Sequence, residues 1–474
     1  MDLRRIDDQL WEIPASARAD MRVPARVFAD REMLDAISDD LSLEQLQNVA
    51  TLPGIVNAAI AMPDIHQGYG FPVGGLAAFD TAEGVVSPGG VGYDINCGVR
   101  LLALPLEAKD LGERSEQLVH EISRSVPAGT HREGALRLRG AKLDRVLQEG
   151  PRALLDNGVG LGEDIERTES EGRLDGADPE KVSDRAHERG SGQLGTLGSG
   201  NHFLELQRVE RVFDERAAAS FGLRRGQLTV LIHSGSRGLG HQVCTDYVRQ
   251  MDRSLERYGI RLPDRQLACA PLSSPGGADY LGAMAAAANF AWANRHTIAH
   301  RVRESIGAVL GGAAAKGTRQ VYDVAHNVAK TEHYGGRALC VHRKGATRAF
   351  PPGSPDIPAE YRETGQPVFI PGSMGTGSYV LAGREGSVER SFGTVCHGAG
   401  RLLSRTGARK RIQGAELRRQ LESQGITVRC PSNRGLAEEA PFAYKDVDRV
   451  VEVVERAGLA GRVARLRPMG VVKG

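Results

Sequence analysis

Six short stretches of this chain gather side chains that bind metals or act on phosphorus, five of them containing glycine. They are Met62–Gly70, Gly92–Gly98, Gly198–Glu205, Ile232–Gly238, Asp323–Asn327 and Thr394–Arg401. The first five read as strand-to-loop corners, and they carry Asp94, Cys97, His202, His233 and His326. Aspartate, thiolate and imidazole form a borderline-soft donor set that manganese, zinc, iron and cobalt all accept. Cys97 as thiolate can bridge two ions, with Asp94 and the histidines completing each shell. Two ions about 3.5–4 Å apart are a standard arrangement for phosphoryl transfer. Taken singly, each histidine fits a structural role, and Cys97 fits a small buried hydrophobe. The argument for metal is their co-occurrence in compact segments after apolar runs, most of them glycine-flanked.

The sixth stretch adds a different chemistry. His397 follows an apolar run and precedes Gly398, Ala399, Gly400 and Arg401. Glycines let backbone N–H groups approach an anion, and arginine pairs with it. An imidazole nitrogen there can attack phosphorus to give a phosphoramidate. The same loop could instead bind phosphate with the histidine only donating a hydrogen bond. Familiar nucleotide signatures are missing. The chain has no GxxxxGK(S/T) loop, no lysine in a KxDG setting, and no GxGxxG opening a helix after a strand.

These corners need elements to hold them. Spacing predicts helices over 31–50, 108–126, 239–258, 277–310, 413–424 and 446–457. Strands are predicted at 228–232, 319–324, 337–342, 367–370, 392–396, 426–430 and 463–472. The stretch 127–195 is polar and reads as a surface excursion or helical subdomain, with Glu163, Asp164, Glu166, Glu169 and Glu171 close together. Helices and strands mix without a βαβ rhythm, so the expected class is α+β in one domain.

Bulk properties narrow the class without naming a substrate. The chain has 474 residues, 41% hydrophobic and 25% charged, as a globular enzyme would. Its 59 glycines are an excess gathered in clusters such as 87–90, 198–200 and 371–373, where backbone turns tightly or nears a ligand. Net charge is +2, from 61 basic and 59 acidic residues, so the global balance does not point to nucleic acid. The six cysteines lack CxxC spacing. No apolar stretch follows the N-terminus and none reaches membrane-spanning length. The expected setting is cytoplasmic, with reduced thiols.

Together these segments resemble the RtcB family of tRNA-splicing and RNA-repair ligases. The resemblance runs from the Asp64 and His66 segment to the terminal Arg467–Gly474, and rests on Asp94/Cys97, Gly200–Phe203, His233–Gly238 and His397–Arg401. It implies an α+β fold, one large domain over 1–474 with central mixed and antiparallel sheets flanked by helices. It implies two Mn²⁺ ions, with Asp94, Cys97 and His202 on one, His233 and His326 on the other, and Cys97 shared. It implies that His397 becomes guanylylated by GTP. The guanylate site would include Asn201, His202, Phe203, Leu204, Glu205, His326, Asn327, Pro371, Gly372, Ser373, Met374, Ser378, Gly398, Ala399, Gly400 and Lys473. The implied reaction joins RNA 3′-phosphate or 2′,3′-cyclic phosphate ends to 5′-hydroxyl ends through histidine–GMP and RNA(3′)pp(5′)G. Since His397 must be unprotonated to attack, acid should weaken the first step. RNA is the implied partner, with an activating protein such as archease a further one. Arg237, Arg343, Lys344, Arg401 and Arg405 are candidate RNA contacts. Two rivals share these residues: a two-metal cyclic phosphodiesterase that needs no His397, and a non-catalytic RNA-binding protein.

Overall fold

The computed structural model describes residues 3–37, 40–129 and 132–474. Two large sheets dominate. One has strand order Arg4–Arg5, Leu10–Ile13, Ala25–Phe28, Ile55–His66, Val73–Asp80, Arg337–Lys344, Asn327–Tyr334. The other runs Arg319–Ala325, Gly98–Glu107, Gln227–Ser234, Phe203–Val212, Ala460–Lys473, Ser378–Gly383, Pro367–Ile370, with Thr427–Arg429 beside Ala460–Lys473. Most pairs are antiparallel; Ala25–Phe28 with Ile55–His66, and Thr427–Arg429 with Ala460–Lys473, are parallel. Mixed sheets flanked by helices make this an α+β fold.

The strands that matter most are buried on both faces. Ile55–His66 is covered almost throughout, as is Gln227–Ser234. A strand covered on both faces has no polar side to alternate with, so its sequence is a continuous apolar run. The 36-residue helix Pro275–Leu310 is buried along most of its length. Ser274 caps it, its hydroxyl accepting from Gly277 N–H at 3.1 Å, and Pro275 starts it without wasting a donor. Its alanines let neighbours close in, and Ala283, Ala286 and Ala287 share a core with Val91, Ile95 and Leu239.

Short helices at Ala141–Glu149, Arg152–Leu155, Gly162–Glu166 and Asp184–Gly190 fill the 127–195 stretch. They bind to the long helix through Leu143, Val146 and Leu147. The acidic cluster there is not a surface feature throughout. Asp164 and Glu169 are fully buried; Arg303 donates to Asp164 at 2.6 and 2.8 Å, and Lys330 to Glu169 at 2.5 Å. Their cationic partners lie far along the chain, which is why a local reading leaves them solvated.

Predicted strands near 228–232, 319–324, 337–342 and 367–370 are present, as are helices over 237–254 and 275–310. The single helix expected over 31–50 is two, Arg31–Ile37 and Ser42–Val49, with residues 38–39 outside the described residues. A helix over Arg405–Arg411 was not predicted; four of its seven residues are basic, and no apolar stripe marks it.

Candidate active site

Strand register assembles the five predicted metal ligands. Gly98 pairs with Ser234 and Val99 with His233, Phe203 pairs with His233, and Ala325 pairs with Gly98. Neighbouring strands therefore bring Cys97, His202, His233 and His326 to one place. The Asp94–Cys97 loop is held from below by the long helix. Arg295 donates to Asn96 O at 2.7 Å and Ser234 O at 2.9 Å, and Asn96 Nδ2 donates to Ala288 O at 2.7 Å. Asn327 Nδ2 donates to Asp94 O at 3.0 Å. Gly235 crosses so near that a Cβ would lie 2.4 Å from both Asp94 carboxylate oxygens.

The donor atoms form two trios that share Cys97: Asp94, Cys97 and His202, and Cys97, His233 and His326. Cys97 Sγ is 3.3 Å from both His202 Nε2 and His233 Nε2. His233 Nε2 is 3.3 Å from His326 Nε2, and His202 Nε2 is 2.7 Å from Asp94 Oδ2. Burial lowers the pKa of His202, and drives His233 and His326 well below the usual imidazole range. Neutral imidazoles offer lone pairs. Burial also raises Cys97 far above the ordinary thiol value, helped by the adjacent Asp94. Burial opposes charge on Asp94 too, yet His202 and Arg237 keep its carboxyl below its ordinary range. Packing soft and hard donors this tightly, with no cation side chain inside the Cys97–His233–His326 trio, fits a bound transition-metal ion that would itself stabilise the thiolate.

Next to this cluster, His397 sits at the end of strand Thr394–Cys396. Its Nδ1 lies 2.6 Å from Asp64 Oδ2, and its backbone N–H donates to the same oxygen at 3.0 Å. Asp64 is fully buried in strand Ile55–His66. Lys445 Nζ donates to the carbonyls on either side, Pro63 O at 3.0 Å and Ile65 O at 2.5 Å. An Nδ1–H donated to Asp64 leaves Nε2 with a free lone pair. The His397 and His326 rings are 4.9 Å apart.

A cavity of about 300 Å³ joins the two features. Of the predicted nucleotide residues, Asn201, Phe203, His326, Asn327, Pro371, Gly372, Ser373, Met374, His397, Gly398, Ala399, Gly400 and Lys473 line it. The last strand pairs Lys473 with Phe203, so the chain's penultimate residue reaches the cavity, its Nζ 5.3 Å from the Phe203 ring centre. Ser378 stands behind the wall, accepting from Gly372 N–H at 3.3 Å. Glu205 is buried and accepts from Gln207 at 2.7 Å; burial raises its carboxyl to about 8. Leu204 faces the core with Leu102 and Val472, away from the cavity.

The chain matches the profile of the family described as tRNA-splicing ligase RtcB over residues 45–474. It is 54% identical to the tRNA-splicing ligase RtcB of Archaeoglobus fulgidus, covering all of this chain and 99% of that protein. The Thermococcus kodakarensis protein of the same name is also 54% identical, with the same coverage. The RNA-splicing ligase RtcB of Mycobacterium tuberculosis is 53% identical over 91% of this chain and all of its own length. This chain belongs to the RtcB family. It is thus a member of a family of RNA ligases.

Within the family assignment, the structure revises some residue readings. Arg343, a candidate RNA contact, is fully buried and gives its guanidinium to Glu332 at 2.6 and 2.8 Å. Lys344 is also buried; its Nζ meets Tyr69 O and Phe71 O, and burial lowers it to about 7. It borders the cavity. Arg237 Nη1 lies 3.2 Å from His202 Nδ1. Arg401 and Arg405 line the cavity, both paired with Glu439.

Three residues without a predicted role now have one: Asp64, which holds His397; Arg295, which holds the Cys97 loop; and Glu439, which gathers Arg401, Arg405 and Lys473. Asp64 lay within a flagged segment, but its partner is 333 positions away. Arg295 sits in an alanine-rich helix that reads as pure core. Among the described residues no helix is long and apolar enough to cross a membrane.

Proposed function

We propose that this chain seals RNA 3′-phosphate or 2′,3′-cyclic phosphate ends to 5′-hydroxyl ends, using GTP and divalent manganese. The observation that carries this reading is the Asp64–His397 pair opening onto a nucleotide-sized cavity beside the Cys97-centred donor cluster. A phosphodiesterase would need the cluster but not an oriented imidazole next to it.

Asp64 accepts from Nδ1–H and fixes the tautomer, so His397 Nε2 points its lone pair outward. A carboxylate behind an imidazole plays this orienting role in acyl transfer as well. His397 Nε2 attacks the α-phosphorus of GTP; the N–P bond forms as the P–O bond to pyrophosphate breaks. The Gly398 and Gly400 backbone N–H groups and the nearby positive charge of Arg401, which Glu439 holds in place, would offset the charge of the phosphates. An oxygen of the RNA 3′-phosphate then takes the guanylate from His397, and the lone pair returns to Nε2. The RNA 5′-hydroxyl attacks the activated 3′-phosphate, and GMP leaves. Asp94, Cys97 and His202 would hold one manganese ion, and Cys97, His233 and His326 the other. Bound there, manganese would supply Lewis-acid neutralisation of phosphate charge. Lys473 and Asn201 are suited to hold the nucleotide against Phe203.

The test is covalent labelling. Purified protein is incubated with manganese and GTP labelled at the α-phosphate, beside His397→Ala. Acid-labile, base-stable label on the wild type alone is the expected result. Absence of label from metal-loaded wild type would leave a cyclic phosphodiesterase as the better account.

A further inference from the structure

Between the cavity-lining residues Glu439 and Tyr444 the chain turns at Pro441–Ala443. Leu402 donates its backbone N–H to Ala443 O at 2.8 Å, and Arg401 bridges to Tyr444. This pairing leaves two large apolar side chains in solvent, Leu402 at 52% and Phe442 at 39% exposure. Among the described residues only five large hydrophobics are exposed, and two of them lie on this paired segment. Pro441 ties the turn to the nucleotide loop: a Cβ on Gly375 would lie 3.2 Å from its ring.

Helix Arg405–Arg411 packs against the same turn. Its Arg405 and Arg409 are paired with Glu439 and Glu438. Lys410 and Arg411 are exposed and make no ion pair among the described residues. Two unpaired cations on a helix packed against the turn that carries an exposed ring, next to a cavity lined by Arg401, Arg405 and Lys473, match what single-stranded nucleic acid requires: stacking surfaces with positive charge along the backbone. The cationic lining that continues into the cavity through Arg401, Arg405 and Lys473 is complementary to a polyanion, which favours RNA over a protein partner here.

We propose that this rim grips the unpaired end of the RNA as it enters, with one base stacked on Phe442 against Leu402 and backbone phosphates on Lys410 and Arg411. The inference rests on the ligase reading for its substrate. It assigns these residues to substrate capture and leaves them out of guanylylation.

The experiment uses the full chain and a short fluorescent single-stranded RNA with a 3′-phosphate, without GTP. Phe442→Ala should raise Kd about tenfold, Phe442→Trp should restore it, and Phe442→Leu should not. Lys410→Ala/Arg411→Ala should weaken binding and reduce the salt slope of log Kd by roughly 1.4, two phosphates' worth on a single strand. In sealing assays KM for RNA should rise with little change in kcat, and enzyme–GMP formation should match wild type. Unchanged Kd in both Phe442→Ala and the double variant would overturn the proposal and turn attention to a protein partner. Wild type that forms no enzyme–GMP, while the variants still lose RNA binding, would remove the ligase reading and keep the rim as an RNA surface.

Discussion

His397 can act only if its lone pair faces the cavity, and one carboxylate decides that. Asp64 Oδ2 receives both the ring Nδ1–H and the backbone N–H of His397. Asp64→Asn keeps the shape but presents an amide that favours the opposite tautomer. Enzyme–GMP formation should fall on the order of 10²–10⁴-fold, with the folded state intact by circular dichroism. A variant that labels at the wild-type rate would show that the pair is only structural. Cys97 makes a second residue-scale prediction, because both trios need it. If each trio holds an ion as proposed, Cys97→Ala should abolish binding at both together, whereas His202→Ala should keep the ion on the His233 side. Metal content per chain after dialysis distinguishes these. If Cys97→Ala retains one ion, Cys97 is not shared. These roles were unevenly legible. Residue type and glycine context marked Cys97 and His397 as candidates, but each alone also fits a structural role, and only their co-occurrence with the other segments pointed to chemistry. Asp64 drew no role, because an aspartate in an apolar strand reveals its purpose only through its distant partner.

The elements work through their ends. Four strands stop at the same level, and the functional side chains sit at or just beyond those stops. The loop after Thr394–Cys396 is a sharp case. Gly400 has φ +75°, and a Cβ there would come within 2.2 Å of Asp64 O. Gly400→Ala should therefore cost on the order of 1–3 kcal/mol from backbone strain, and push His397 off Asp64. The expected outcome is a lowered thermal midpoint, with enzyme–GMP formation down at least about tenfold even at temperatures where the variant stays folded. An alanine variant that guanylylates normally would mean the loop tolerates displacement. Gln227–Ser234 and Pro275–Leu310 were legible from an apolar run and an alanine-rich stretch. Ile55–His66 was not, because its buried Ala58-Ala59-Ile60-Ala61 core is rich in alanine and lacks the alternation that marks a strand, and exposed Asn57 and buried Asp64 interrupt the apolar run. Helix Arg405–Arg411 was hidden for the opposite reason: it buries little beyond Ala408.

At the scale of the whole molecule, the two sheets and the 127–195 stretch are tied together by buried charge. Asp323 takes Arg100 at 2.7 Å and Arg295 at 2.8 Å, all three fully buried. Asp164 takes Arg303, and Glu169 takes Lys330. Glu169 also accepts from Ala325 N–H at 2.8 Å, one residue before His326 of the Cys97-centred donor cluster, so the same network buttresses the site. Burial alone would raise the Glu169 carboxyl, but Lys330 and Arg348 more than offset it and hold it at about 2, against 4.5 unperturbed. Lys330 is itself lowered to about 8 by burial, so both partners are charged at neutral pH. A carboxyl whose pKa is depressed in the folded state binds fewer protons there than in the unfolded chain. Its stabilisation is full above pH 4.5 and drains away as pH falls from 4.5 through about 2. The thermal midpoint of the wild type should fall steeply across that window. Glu169→Gln should start lower at pH 7, because it strands the Lys330 charge in the core, and should then fall less steeply in acid. The comparison to make is midpoint against pH for the two proteins from pH 7 to pH 2.5. Parallel curves would mean that Glu169 is not part of the acid response. Converging curves would trace that response to a residue that looked, by its acidic neighbours, like surface.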